Sequence, residues 1–403
     1  MGLIQPFAAV RPRPELAARI CAPPYDVLST EEARALAEGN PLSFLWVSKP
    51  EIEFPPHHDP YAPEVYARGR EHFQRLLRAG ALVQEKAPAY YLYQQRMGRH
   101  VQTGLVAVAS CAAYLEGQIK KHELTRPDKE DDRLRHIEVV GAQTGPAFLV
   151  YRAQPALDDF IARKIAEYPE VEFTAPDGIH HAAWTLREPA DLEFIQRAFA
   201  AIPALYIADG HHRTAAAARL HQKRGGGPAA WFLAVIFPHH QMQILPYNRV
   251  LKDLNGLTPA ALWQRLHTVL EVLPGSSAQP AEKHELSLYV EGRWHRLRWK
   301  AGVTATSQAV ERLDAALLQR LVLGPIFGID NPRTSQRIAF IGGIRGTAEL
   351  ERLVNSGEYA AAFSLHPTTI EDLMQVADEG GIMPPKSTWF EPKLRDALFI
   401  HLV

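Results

Sequence analysis

Leu205-Tyr-Ile-Ala-Asp-Gly-His-His-Arg-Thr-Ala-Ala-Ala-Ala-Arg-Leu220 is the stretch whose reading decides the fold. Residues 204–208 form a short apolar run that predicts a buried strand. The polar turn Asp209-Gly210-His211-His212-Arg213 follows, and the alanine-rich segment 214–220 has strong helix propensity. Strand, glycine turn and helix together aim free backbone N–H groups and the positive end of a helix dipole at an anion. An acid, two imidazoles and a guanidinium share this turn, which points to a functional site. The plainer alternative is a capped helix with Asp209 as the N-cap acceptor.

Working outward, 403 residues exceed what one simple core needs, and two or three domains are expected. Breaks near residues 85 and 255 divide the chain into 1–85, 86–255 and 256–403. A net charge of −1 argues against bulk binding to DNA or RNA, which calls for a basic face. Two cysteines, Cys21 and Cys111, with no Cys-x-x-Cys, exclude a disulfide framework and a thiolate zinc site. No apolar run is long enough to span a bilayer, so a cytoplasmic protein without a membrane partner is expected.

Strand and helix signals mix without strict alternation, and hairpins are frequent. Ser29-x-x-Glu32 is a capping box opening a helix, and 42–47 reads as a strand. Residues 90–96 and 101–110 form a hairpin, as do 286–290 and 294–299. A single strand is expected over 241–251 and a helix over 313–323. This pattern predicts an α+β fold with mixed sheets.

Candidate chemistry clusters in a few places. Between Lys120 and Glu138, twelve of nineteen residues are charged, which alone reads as a solvated helix face. Thr125-Arg126-Pro127 interrupts that reading by placing an arginine where a helix begins, as a phosphate clamp would require; Lys129 follows it. Asp209 is a candidate Mg²⁺ ligand or a group orienting His211. His211 and Arg213 are candidates for contact with a transferring phosphoryl group, with Gly210, His212 and Thr214 completing the phosphate loop. A histidine-only metal site is not expected, because only His211 and His212 cluster in sequence. Gly342-Gly-Ile-Arg-Gly346 offers a second phosphate turn through Arg345, and Lys386 a further cation. Tyr25, Asp26, Asn40, Ser43 and Arg249 are candidates for lining the substrate pocket.

The string IADGHHRTAAAA resembles the Gly-His-x-Arg box of the ParB/sulfiredoxin-like superfamily, which includes the free-serine kinases. IQPFAAVRP, APPYDV, GNPLSFLWVSKPE, IKKHELTRPDKEDDR, PYNRV, IGGIRG and MPPKSTWFEPKL, spread from Ile4 to Leu394, resemble a bacterial and archaeal family described only as a domain of unknown function. The resemblance implies a ParB/sulfiredoxin-like catalytic core with additional α+β domains. It also implies Mg²⁺-dependent phosphoryl transfer to free L-serine, giving O-phospho-L-serine. Ile119-Lys-Lys-His-Glu123 resembles the segment carrying the kinases' general base, which assigns that role to Glu123; Lys121 departs from the proline found there. The donor implied is pyrophosphate or a nucleotide. Pyrophosphate is favoured because no P-loop or kinase glycine-rich loop is present. The reverse reaction uses the same groups, and a homodimer is compatible with this reading. The alternative is a ParB-like nucleotide-binding switch without transfer, disfavoured by the neutral charge and the missing helix-turn-helix reader.

Overall fold

The computed structural model describes residues 2–403. The fold is mixed α+β and divides into two compact units. One comprises Met1–Met242 with Pro392–Val403, the other Gln243–Glu391. The first 85 residues therefore belong to the same unit as the strands that follow. Val10–Pro12 pairs with Leu82–Gln84, while Val10 also bridges to Ile400 near the end of the chain. The second boundary falls at 242/243, before the expected 255.

The first unit is built on a nine-stranded mixed sheet. Its order runs Ile119–Lys120, Leu205–Asp209, Ala147–Tyr151, Trp231–Pro238, His100–Ser110, Tyr90–Met97, His180–Leu186 and Val171–Thr174, with Ile4–Gln5 added beside His100–Ser110. The 90–110 hairpin is present as expected. Two pairs are parallel: Ile119–Lys120 with Leu205–Asp209, and Ala147–Tyr151 with Trp231–Pro238. Leu105, Ala107, Leu149, Ile207 and Ile236 lie in the main core of this sheet. The alanine run lets helix His211–Arg224 come close to its neighbours, and Ala216 and Leu220 pack with Ile137 of helix Pro127–Val140.

The second unit holds a six-stranded antiparallel sheet with its own apolar core, including Leu286, Leu288, Leu297 and Phe363. Its hairpin Glu285–Val290/Arg293–Trp299 matches the sequence reading.

Three local expectations are corrected. Residues 42–47 are not a strand. The Asn40 carboxamide accepts from the Leu42 N–H and Ser43 Oγ from the Leu45 N–H, turning the chain into helix Leu45–Ser48. The 241–251 strand is interrupted at Pro246, which has no N–H to give a ladder, so Gln243–Leu245 and Tyr247–Leu251 join different sheets. In the 313–323 helix, Asp314–Leu318 is α-helical and the chain then widens, with the Gly324 N–H reaching back to the Gln319 carbonyl at 3.0 Å. By contrast, the Ser29/Glu32 capping box forms as read, on helix Thr30–Ala37.

Candidate active site

The site arises where two parallel strands end. Ile119 lies opposite Leu205 and Lys120 opposite Tyr206, so both strands run toward the same edge of the sheet. Lys121-His122-Glu123 continues from one strand and Asp209-Gly210-His211 from the other. The helix begins earlier than expected, at His211, with Gly210 as its N-cap at φ 91°. A Cβ at Gly210 would stand 3.1 Å from Arg213 Nε and 3.3 Å from Ala147 Cα. Glycine supplies both the left-handed conformation and the space.

This juxtaposition gathers one ligand atom each from His122, Glu123 and His211 within 4.8 Å of one another. The two imidazoles meet edge to face, their centroids 4.5 Å apart. His122 is 2% exposed and His211 6%. Burial lowers the His122 pKa to about 4, against the opposing effects of a hydrogen bond to the Ile207 backbone and the Asp209 charge. Burial, then the neighbouring His122, holds His211 well below the ordinary histidine value. Both rings are therefore neutral near pH 7. His122 Nδ1 and His211 Nε2 are buried without a hydrogen-bond partner.

Asp209 faces two cations, Lys393 Nζ at 3.4 Å and Arg213 Nη2 at 3.5 Å. Burial would raise its pKa, but Lys393 and Arg213 hold it far below the usual carboxylate range. Arg213 also donates from Nη1 to the Pro146 carbonyl at 2.6 Å. Beside it, Tyr25, Arg133, Gly145, Arg213 and Asp396 line a cavity within the first unit. The Arg133 guanidinium sits 3.8 Å from the centroid of the Tyr25 ring. Burial pushes the Asp396 carboxyl up to about 7, with Arg213 opposing and Asp26 reinforcing the shift.

Thus Tyr25, Asp26, Glu123, Asp209, Gly210, His211 and Arg213 belong to one neighbourhood. Other expected contacts are engaged differently. Arg126 is the residue before helix Pro127–Val140, as read, but its guanidinium pairs with Asp128 at 2.8 Å while its N–H donates to His212 Nε2 at 3.1 Å. Lys129 donates to the Tyr61 hydroxyl, and Thr214 donates to the Gly210 carbonyl. Asn40 and Ser43 are spent on the turn already described. Arg249, Arg345 and Lys386 lie in the second unit. There Arg249 is buried, donates to the Tyr247 and Lys386 carbonyls, and has its pKa lowered by burial to about 10. Its hydrogen-bonding capacity serves the backbone.

Sequence reasoning missed His122, Arg133, Lys393 and Asp396 as site members. The first stood next to Glu123 and was the accessible signal; Lys393 lies within the MPPKSTWFEPKL string and Asp396 just beyond it.

The fold and site define a mixed-sheet α+β protein whose two buried histidines and half-buried Glu123 sit at strand ends. The chain belongs to the family described as protein of unknown function (DUF1015), whose model matches residues 4–316. The IGGIRG and MPPKSTWFEPKL strings fall beyond that span. No curated protein matches the chain. Among solved structures, it is similar to a free serine kinase in complex with AMP, with 16% identity over 73% of this chain and 92% of that chain and a TM-score of 0.38. A conserved hypothetical protein from Pyrococcus furiosus shows 17% identity over 74% and 95%, with a TM-score of 0.37. SbnI with a C-terminal truncation from Staphylococcus aureus shows 11% identity over 74% and 87%, with a TM-score of 0.41. No helix among the described residues is long and apolar enough to cross a membrane.

Proposed function

We propose that this protein is a phosphotransferase acting on a free amino acid, with L-serine as acceptor and O-phospho-L-serine as product. The observation that carries this reading is the placement of the Glu123 carboxylate beside His211 at the start of helix His211–Arg224. A carboxylate base and an anion-binding helix end then face one space. Glu123 accepts the hydroxyl proton as the serine oxygen attacks the donor's terminal phosphorus, and the bridging P–O bond breaks to release phosphate from pyrophosphate, AMP from ADP or ADP from ATP. Arg213 and the N–H groups of the first helical turn draw the phosphoryl oxygens.

Pyrophosphate is the favoured donor, for want of a nucleotide-loop motif, ahead of ADP and ATP. Magnesium belongs to this reading with the donor's phosphate groups. Asp209, engaged by Lys393 and Arg213, does not present an oxygen-only Mg²⁺ cage.

The test is phosphorus NMR of the purified protein with Mg²⁺ and L-serine, offered pyrophosphate, ADP or ATP separately. A phosphoserine resonance in one sample identifies acceptor and donor together. Silence in all three, with nucleotide binding retained in calorimetry, replaces the kinase with the nucleotide-binding switch.

A further inference from the structure

His122 Nδ1 and His211 Nε2 belong to two imidazoles that meet edge to face in the protein interior, their centroids 4.5 Å apart. Each belongs to a ring less than one-tenth exposed, and neither has a hydrogen-bond partner. Buried polar atoms are ordinarily satisfied, and an exception calls for an explanation, of which a bound ion is one. Glu123 completes the group: one ligand atom from each of His122, Glu123 and His211 lies within 4.8 Å of the other two. The donors of one tetrahedral ion lie about 3–4 Å apart, given metal–ligand distances of about 2.0–2.2 Å, so a small side-chain adjustment closes the set.

The chemistry of these donors selects the ion. Two imidazoles and one carboxylate suit zinc and its neighbours in the first transition row, whereas magnesium takes six oxygens in octahedral array. The surroundings match as well. The other nitrogen of His122 hydrogen-bonds the Ile207 backbone, the outer contact that fixes a ligating imidazole's tautomer and aim. Asp209, two residues from His211, is engaged by Lys393 and Arg213 and stands outside the set.

We propose that His122 Nδ1, His211 Nε2 and a Glu123 carboxylate oxygen bind one divalent transition-metal ion, zinc first among them, with a coordination position left for substrate or water. The site stands on this geometry alone and does not require phosphoryl transfer. Where both readings hold, Glu123 is shared, so the ion site is tested through ion binding by the His122 and His211 variants and the transfer reading through phosphoserine formation.

The test uses the full chain stripped with a chelator and dialysed. Zn²⁺ and Mg²⁺ are titrated separately by calorimetry, and Co²⁺ is followed by its visible d–d bands. The expected result is one ion per chain, with Zn²⁺ bound at least about 100-fold more tightly than Mg²⁺. His122→Ala and His211→Ala should each weaken Zn²⁺ by at least about tenfold, taking loss of a ligand to cost no less than loss of an outer-shell partner. With 18 histidines in the chain, adventitious binding is the principal rival. Zinc affinity unchanged in both variants, or no cobalt bands, overturns the proposal. Should the variants not fold, zinc-edge X-ray absorption of the unmodified protein decides: two imidazoles at the ion support the site, and fewer than two refute it.

Discussion

The turn at Gly210 and the turn at Gly342–Gly346 both carry a strand into a helix past glycine and arginine, yet glycine serves opposite purposes in them. At Gly210 it permits φ 91° and opens the helix directly, so that His211 and Arg213 fall in the first turn. At Gly342 it makes room for a neighbour. A Cβ there would lie 2.8 Å from the Trp389 ring, and one at Gly343 would lie 2.7 Å from Pro246. The second turn is closed by packing at Gly342 and Gly343, while Gly346 is open at φ 71° and Arg345 is exposed. A glycine-rich string therefore marks a phosphate cradle only when reactive groups converge on it from elsewhere. At Gly210 they do, through Glu123, His122 and Lys393.

The largest effect that would break this contrast is expected at Glu123. Glu123→Gln should slow phosphoserine formation by about 10²–10⁴-fold in the phosphorus NMR assay while leaving phosphate binding intact, as befits a general base. Full turnover in this variant would remove the base assignment. Arg213→Ala should instead weaken phosphate binding itself, read by calorimetry.

The two glycines come next, because similar losses of stability should have different consequences. Gly210→Ala forces a side chain into the left-handed region and should cost about 1–3 kcal/mol in denaturant unfolding, together with phosphate binding. Gly342→Ala should cost about 1–3 kcal/mol by overpacking against Trp389, with transfer by the folded protein unchanged. Equal loss of transfer in both would erase the distinction.

A pH-dependent effect sets Asp396 apart. Asp396 is raised from 3.8 to about 7 in the folded protein. The folded state thus binds more protons than the unfolded state between those values, and the contribution of Asp396 to stability falls as pH rises through that window. Denaturation midpoints of Asp396→Asn and the unmodified protein should therefore diverge between about pH 4 and pH 7, in favour of the variant at higher pH, and run parallel above. No divergence would mean that the carboxyl is not so raised. The smallest expected effect is at Arg345. Arg345→Ala should leave phosphate affinity within about twofold, and a larger loss would make the second turn an anion site after all.

Much of the local structure was legible because its causes are local. The Ser29/Glu32 box, the hairpins, the arginine before helix Pro127–Val140 and the strand–glycine–helix at Gly210 each depend on residues adjacent in sequence. The pairing of His122 with His211 depends on Ile119–Lys120, a two-residue strand whose only meaning is its register with Leu205 and Tyr206. Nothing within Ile119-Lys120 declares that register. The 42–47 segment failed for the opposite reason: its apolar content suits a strand, but Asn40 and Ser43 bind nearby N–H groups and bend the chain first. The pairing of Lys393, within MPPKSTWFEPKL, and of Asp396 just beyond it with Asp209 and Arg213 was not legible because a long intervening unit separates them in sequence.

That interruption bears on biosynthesis. Residues 243–391 are threaded between Met242 and Pro392, so a ribosome must finish the entire second unit before Lys393 and Asp396 are made. Until then Asp209 and Arg213 are already in place, but the lysine that flanks that acid and the carboxyl beside Arg213 are missing. A nascent chain halted anywhere in the second unit would carry the glycine turn and Glu123 without the charge balance that surrounds them. The site is thus assembled late in translation, long after its most recognisable motif has left the ribosome.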